Sequence, residues 1–158
     1  MKKLLTILMT LVLVVGMTAC GNTSQPSESN IDDSAEEVED MDMKMNVKVE
    51  DKSFTATLED NAATRELIEM MRKGPVSIDM NDYSSFEKVG PLGKSLTTED
   101  QQTTTSAGDI VLYSGNQIVM FYGSNSWSYT RIGRIDDLSG WEDALGRGSI
   151  TAVFSLNE

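Results

Sequence analysis

The sequence contains no histidine, a single cysteine and few basic residues, and each shortage removes a class of function. Without histidine, a histidine-based catalytic triad, a histidine-ligated zinc and imidazole acid–base catalysis are all excluded. One cysteine excludes an intrachain disulfide and any metal site built from several thiolates. The chain has 13 Lys and Arg residues against 25 Asp and Glu residues. No basic surface for a nucleic-acid partner is therefore expected.

The first twenty residues have the pattern of a secretion signal. Two lysines precede an apolar run over residues 4–15, which is too short for a stable membrane span but fits a signal peptide. Gly-Met-Thr-Ala then leads to Cys20, and this arrangement resembles the lipobox of bacterial lipoproteins, whose cysteine receives diacylglycerol after cleavage. We expect residues 1–19 to be removed and Cys20 to anchor the protein at the outer face of the bacterial cytoplasmic membrane. An ordinary signal peptide ending near a cysteine is the alternative.

Residues 20–42 are predicted to be an acidic, disordered tether. Residues 21–42 contain eight acidic residues, no basic residue and only three large apolar ones. So little apolar surface cannot offset the entropy lost on ordering. An acidic recognition tail is the alternative that the composition leaves open.

Residues 43–158 are predicted to form one mainly β domain. Two alternating segments with a short turn between them indicate a hairpin, and three denser apolar runs indicate strands buried on both sides. About eight strands favour a closed antiparallel barrel with one helix and one short helical turn. The predicted strands include residues 46–50, 53–58, 109–113, 117–122 and 150–154.

Turn and capping residues indicate where helices and loops lie between these strands. Asn61 can cap a helix that Gly74 and Pro75 end. Ser139, followed three residues later by Glu142, predicts a capping box and one short turn of helix. The polar residues 97–108 are predicted to form a loop at the rim of the barrel or a lid over it.

Several segments in order resemble the bacterial cyclophilin-like small-barrel family. The longest is Ser-Tyr-Thr-Arg-Ile-Gly-Arg-Ile-Asp at 128–136, preceded by Asp-Tyr at 82–83, Glu-Lys at 87–88 and Ala-Gly-Asp-Ile at 107–110. The resemblance runs from about residue 45 to the C terminus and implies an eight-stranded barrel shaped like a cyclophilin. It carries no prolyl isomerase residue with it, because cyclophilins use an arginine in a Phe-His-Arg segment that this chain lacks.

Residues 125–131 are the richest candidate for ligand binding. Trp127 and Tyr129 alternate with small polar residues, and Arg131 follows. Aromatic rings beside a guanidinium suit a peptide or a small planar anion. Phe121 is a candidate wall of the same site.

Each of these candidates has a structural alternative. On a strand, Tyr129, Arg131 and Gly133 are predicted to share one face. The aromatic residues would otherwise only complete the core, while Arg131 pairs with Asp136 or Glu87. Glu87 itself is a candidate ligand contact, and it acts as a general base only if burial raises its pKa.

Cofactor and metal motifs are nearly absent from the sequence. There is no Gly-x-Ser-x-Gly, phosphate loop or dinucleotide fingerprint, so no cofactor is expected. Met41, Met43 and Met45 form a weak candidate for a thioether copper site, since soft ligands suit Cu(I). Met45 is alternatively the first core residue of the first strand.

These observations favour a lipid-anchored, extracytoplasmic and monomeric binding module, without catalytic residues, whose ligand is a peptide or a small anion. A divergent peptidyl-prolyl isomerase acting on secreted proteins is the second hypothesis. Copper handling through the methionines is the third.

The first prediction concerns the anchor. Cys20→Ser removes the thiol that would carry the lipid, and a lipid-free acidic chain is not held by anionic headgroups. We expect the variant to leave the membrane fraction or to remain unprocessed, as read by fractionation and by the mass of the N-terminal peptide. Ser24→Ala is the control and should stay membrane-bound. Wild-type protein recovered soluble, unmodified and cleaved elsewhere would contradict the prediction.

Overall fold

A computed structural model describes residues 43–157. The predicted signal peptide, Cys20, the tether and Met41 lie outside the described residues. Among those described, no helix is long and apolar enough to cross a membrane. The elements in chain order are β1 (Lys44–Val49), β2 (Lys52–Leu58), α1 (Ala62–Met71), β3 (Val76–Tyr83), β4 (Glu87–Pro91), β5 (Gln101–Thr104), β6 (Asp109–Tyr113), β7 (Gln117–Phe121), β8 (Ser126–Ile135), α2 (Trp141–Leu145) and β9 (Ile150–Leu156).

Eight of the strands form a closed antiparallel barrel. The order around the barrel is β2-β1-β9-β3-β4-β7-β6-β8, and β8 pairs with β2 to close it. The ninth strand, β5, pairs only with the first half of β8 and lies outside the ring. The predicted barrel, its hairpin and its denser strands are confirmed, because their alternating and apolar patterns match the faces that the sheet buries.

Helix α1 begins at the predicted cap. The Asn61 side chain accepts a hydrogen bond from the backbone N–H of Thr64 at 3.0 Å, which satisfies one of the free donors of the first turn. Leu67, Ile68 and Met71 project from the helix into the main hydrophobic cluster. The helix therefore adds its apolar face to the barrel core.

Two local predictions are wrong. Residues 97–108 are not one loop, because β5 lies within them and pairs with β8. The polar composition of β5 hid it, since an edge strand needs no apolar face. Ser139 does not cap α2; Gly140 occupies the N-cap with a φ of 76° and no side-chain hydrogen bond is made.

Strand β8 contains one extra residue, a β-bulge, which reverses the face of the sheet to which the following side chains point. Val111 pairs with Arg131 but Ile110 pairs with Gly133, so the bulge falls at Ile132. Gly133 therefore lies opposite the core residue Ile110, while Arg131 is exposed. The prediction that Arg131 and Gly133 share a face is wrong, because the bulge interrupts the two-residue alternation.

The strands β6 and β7 are apolar on both faces. Ile118 and Met120 belong to the main cluster inside the barrel, whereas Val119 and Phe121 belong to a second cluster on the opposite face. This second cluster makes the outer face of the β4-β7-β6-β8 wall apolar. It is the foundation of the site described below.

The second prediction tests both faces of this wall. Leu112 in the main cluster and Phe121 in the second are both fully buried. Leu112→Ala and Phe121→Ala should each lower the free energy of unfolding by about 2 to 5 kcal/mol, because each leaves a cavity in a packed cluster. Lys48→Ala, an exposed β1 control, should change it by less than about 0.5 kcal/mol in denaturant titrations. Near-neutral effects at both core positions would show that the assigned faces are wrong.

Candidate functional site

A pocket of about 350 Å³ opens on the outer face of the wall, with its lining drawn from β3, β4, β7, β6 and β8 and from the segment just before β8. We call it the aromatic pocket, because four of its nine lining residues are Tyr or Trp. Its lining contains no Lys and no Arg. The lining residues are Tyr83, Glu87, Val89, Tyr113, Gln117, Val119, Asn125, Trp127 and Tyr129.

The structure brings together three of the five residues proposed from the sequence. Trp127, Tyr129 and Glu87 line the aromatic pocket. Phe121 is fully buried and does not line it, but its ring packs edge-on against Tyr129 at a centroid distance of 5.7 Å. Phe121 therefore supports the wall from below. Arg131 lines a neighbouring cleft, which Tyr129 also lines, and it does not line the aromatic pocket.

The β3–β4 turn sets the position of Glu87. Ser84 and Ser85 both have positive φ values, 52° and 59°, and the N–H of Phe86 donates to the carbonyl of Tyr83 at 3.3 Å. Two successive positive φ values match the twist of a tight hairpin. Tyr83 and Glu87 consequently pair across the two strands, at the mouth and the floor of the aromatic pocket.

A close backbone contact clamps this turn. The N–H groups of Tyr122 and Gly123 both donate to the carbonyl of Phe86, at 3.0 and 2.9 Å. A Cβ at residue 123 would lie 2.6 Å from the Phe86 Cβ, so only glycine permits the approach. These contacts fix the backbone of Phe86 and so the position of the next residue, Glu87.

The carboxyl group of Glu87 is buried without a complete set of partners. The residue is 6% exposed, and its Oε2 atom has no hydrogen-bond partner. Burial raises the pKa of Glu87 to about 7, because the charged form loses its hydration. From the sequence, Glu87 could act as a general base only if burial raised its pKa, and the structure provides that burial.

Aromatic and amide side chains order the rest of the pocket. The rings of Tyr113 and Tyr129 meet edge-to-face at 6.1 Å. Asn125 donates from Nδ2 to the Tyr129 hydroxyl at 3.0 Å, and its own backbone is bonded to Thr105. Burial, followed by the nearby Glu87 charge, raises the pKa of Tyr129. By contrast, Trp127 is 57% exposed and extends from β8 into solvent.

Arg131 lies in a neighbouring acidic cleft, whose lining includes Glu59, Asp60 and Glu99. Its nearest carboxylate is Asp109, with Nη1 4.0 Å from Oδ1. The sequence offered Asp136 or Glu87 as the partner of Arg131, and both are wrong. Asp136 pairs with Lys44 at 3.0 Å, and Glu87 lines the aromatic pocket.

Lys88 points away from Glu87, as predicted for neighbours on a strand. Its ammonium group is fully buried and donates to Asp82 and to the carbonyl of Gly148, each at 2.8 Å. Hydrogen bonds from Lys88, and then from Tyr122, lower the pKa of Asp82. Two of the three ammonium N–H groups of Lys88 are thus satisfied, and Lys88 does not line the aromatic pocket.

The two methionine candidates that the structure describes, Met43 and Met45, differ in burial. Met45 is fully buried in the barrel core, the alternative position given by the sequence. Met43 is partly buried beside that core.

Sequence reasoning missed Tyr83, Tyr113 and Gln117 as members of the site, whereas Asn125 lies within the predicted segment 125–131. Tyr83, Tyr113 and Gln117 each stand at the end of a strand. Only the order of strands around the barrel shows that these ends are adjacent. A partial signal was available, because Val111 and Tyr113 alternate on one face of an apolar strand.

The third prediction follows from the burial of Glu87. Between its ordinary pKa of 4.5 and its folded value of about 7, the folded chain binds more protons than the unfolded chain. The free energy of unfolding should therefore fall as the pH rises through this window, by an amount on the order of 1 to 3 kcal/mol.

In denaturant titrations, Glu87→Gln should remove that slope and be more stable than the wild type at neutral pH. Because the chain has no histidine, no imidazole titration overlaps the window. An identical slope in the variant would assign the effect to another group.

Comparison with known proteins identifies the fold. The solution structure of a hypothetical protein from Archaeoglobus fulgidus is similar, with a TM-score of 0.54 and 16% identity, covering 73% of this chain and 95% of that one. That likeness concerns the fold alone. No curated protein matches the sequence. Residues 47–155 match the model of the Cyclophilin-like family. Because this match spans most of the chain and the strands close into an eight-stranded barrel, the chain belongs to the Cyclophilin-like family.

Proposed function

We propose that this protein is a lipid-anchored, extracytoplasmic binding module that takes a peptide in its aromatic pocket. The proposal depends mainly on one observation: exposed aromatic side chains surround the mouth of the pocket, and buried side chains form its floor. Tyr83 and Trp127 are 59% and 57% exposed at the mouth, while Glu87 and Val119 are buried beneath them. Exposed aromatic residues around a concave apolar surface are typical of binding sites.

The size and lining of the pocket favour a peptide over a small anion. A volume of about 350 Å³ is at the low end for ligand sites and suits one or two side chains. Gln117 and Asn125 offer amide groups at which a peptide backbone can form hydrogen bonds. An anion would meet the Glu87 carboxylate with no lining cation to balance it.

The isomerase hypothesis lacks its principal group in this pocket. Lowering the barrier of an X–Pro bond requires a donor preorganised at the proline amide. Arg131 was the only such donor proposed from the sequence, and it lies in the acidic cleft instead. We therefore keep isomerisation as an outcome of the test below.

The location rests on the N-terminal sequence. The Cys20 lipobox would hold the mature chain at the outer face of the cytoplasmic membrane through its lipid. Residues 20–42 would then separate the barrel from the membrane and let the aromatic pocket reach secreted or surface peptides.

The fourth prediction tests the pocket with two capped tetrapeptides, Ala-Lys-Pro-Ala and its norleucine analogue. We expect at least one to bind the full-length protein in nonionic detergent by calorimetric titration. Trp127→Ala should weaken that binding by about tenfold, because an exposed aromatic anchor is lost. Arg131→Ala is the matched control in the neighbouring cleft and should leave it unchanged.

The same samples report on catalysis. We expect no acceleration of cis–trans exchange at the proline bond by exchange NMR. Acceleration that Trp127→Ala abolishes would establish the isomerase instead. Absence of binding by both peptides, or equal binding in Trp127→Ala, would refute the peptide module.

A further inference from the structure

We infer that the aromatic pocket binds an alkylammonium group, such as a lysine side chain of a peptide, with the Glu87 carboxylate as its counter-ion. This inference rests on the proposed function and names the chemical class of its ligand. It combines three observations on the described residues: a buried carboxylate with one unpartnered oxygen, the absence of a lining cation, and a surround of aromatic rings.

The first observation is the orphaned oxygen of Glu87. The residue is more than nine-tenths buried, lines the aromatic pocket, and leaves Oε2 without a hydrogen-bond partner. An unsatisfied buried acceptor is costly, and a charged one more so. An ammonium group entering the pocket would supply both the missing donor and the opposite charge.

The second observation is that the nearby cations are engaged elsewhere. Lys88 is held by Asp82 and the Gly148 carbonyl on the other side of β4. Arg131 and Arg134 both face the Asp109 carboxylate, at 4.0 and 3.9 Å. None of these three lines the aromatic pocket, so the described chain provides no counter-ion there.

The third observation is the ring of aromatic side chains. Tyr83, Tyr113, Trp127 and Tyr129 come from three different strands and line one pocket with Glu87. The faces of such rings attract cations, and the attraction grows when the cation is partly desolvated. The alkyl part of the ligand would contact Val89 and Val119 on the floor.

The titration of Glu87 gives the inference a pH signature. Burial raises the pKa of the free site to about 7, and a bound ammonium group would lower it by stabilising the carboxylate. Ligand binding therefore releases a proton, and affinity should rise with pH until the free site is ionised. The other titratable groups facing Glu87 are the hydroxyls of Tyr83, Tyr113 and Tyr129. Burial raises the pKa of the Tyr129 hydroxyl, which moves its ionisation away from the range of the test.

The test uses the full-length protein in nonionic detergent and calorimetric titration from about pH 5.5 to about pH 8.5. The probes are capped Ala-Lys-Pro-Ala, its norleucine analogue and free n-butylammonium. We expect the lysine peptide to bind about tenfold or more tightly than the norleucine peptide at the upper pH. Its affinity should rise across the range.

Glu87→Gln should remove both the preference for lysine and the pH dependence. The substitution keeps the shape of the side chain and removes a desolvated charge, so it should not impair folding. Glu59→Gln, an exposed carboxylate of the acidic cleft, is the matched control and should change neither.

The outcomes separate this inference from the proposed function. Equal binding of the two peptides, or a lysine preference unchanged in Glu87→Gln, would overturn the ammonium site while leaving the peptide module. Equal binding of n-butylammonium and the lysine peptide would support the ammonium site but make a free amine, not a peptide, its ligand. Absence of binding by all three probes would overturn both.

Discussion

Closure of the barrel depends on a backbone contact at Gly133. A Cβ at this position would lie 2.4 Å from the carbonyl oxygen of Thr57, so any larger residue would force β2 and β8 apart. The bulge at Ile132 brings Gly133 to the inner face at this point. Before the bulge, the first half of β8 pairs with β5 and places Trp127 and Tyr129 over the outer face of the wall. One strand thus closes the barrel and also forms one side of the aromatic pocket.

Two neighbouring charged residues on β4, Glu87 and Lys88, are both buried but differ in their hydrogen-bond partners. Lys88 is fully buried, yet its ammonium group has a carboxylate and a carbonyl as partners, so its burial is compensated. Glu87 is nearly as buried, but one of its oxygens has no partner and its pKa is raised to about 7. A structural ion network and an unsatisfied group therefore occur one residue apart. Uncompensated burial of an ionisable group in a pocket is a feature of functional sites more often than of structural ones.

Membership of the Cyclophilin-like family explains the barrel and leaves the chemistry open. The aromatic pocket is built from side chains on the four strands of the β4-β7-β6-β8 wall, together with Tyr83 at the end of β3 and Asn125 just before β8, and the apolar cluster of Val111, Val119 and Phe121 supports it. A rigid wall of this kind holds binding groups with little cost in ordering. Its features suit recognition of a ligand, because it has apolar area, amide groups and one carboxylate, but no lining guanidinium.

The sequence by itself determined most of the elements and much of the core. Alternation in β1 and β2, the dense apolar runs of β6 and β7, and the Asn61 cap are local patterns, because strand faces and helix ends depend on neighbouring residues. The tertiary structure alone decided the site. The proximity of Tyr83, Glu87 and Trp127 depends on the order of strands around the barrel. The bulge at Ile132 and the strand at Gln101–Thr104 depend on pairing with β6 and β8. The burial of Glu87 likewise comes from strands distant in sequence, which local patterns do not encode.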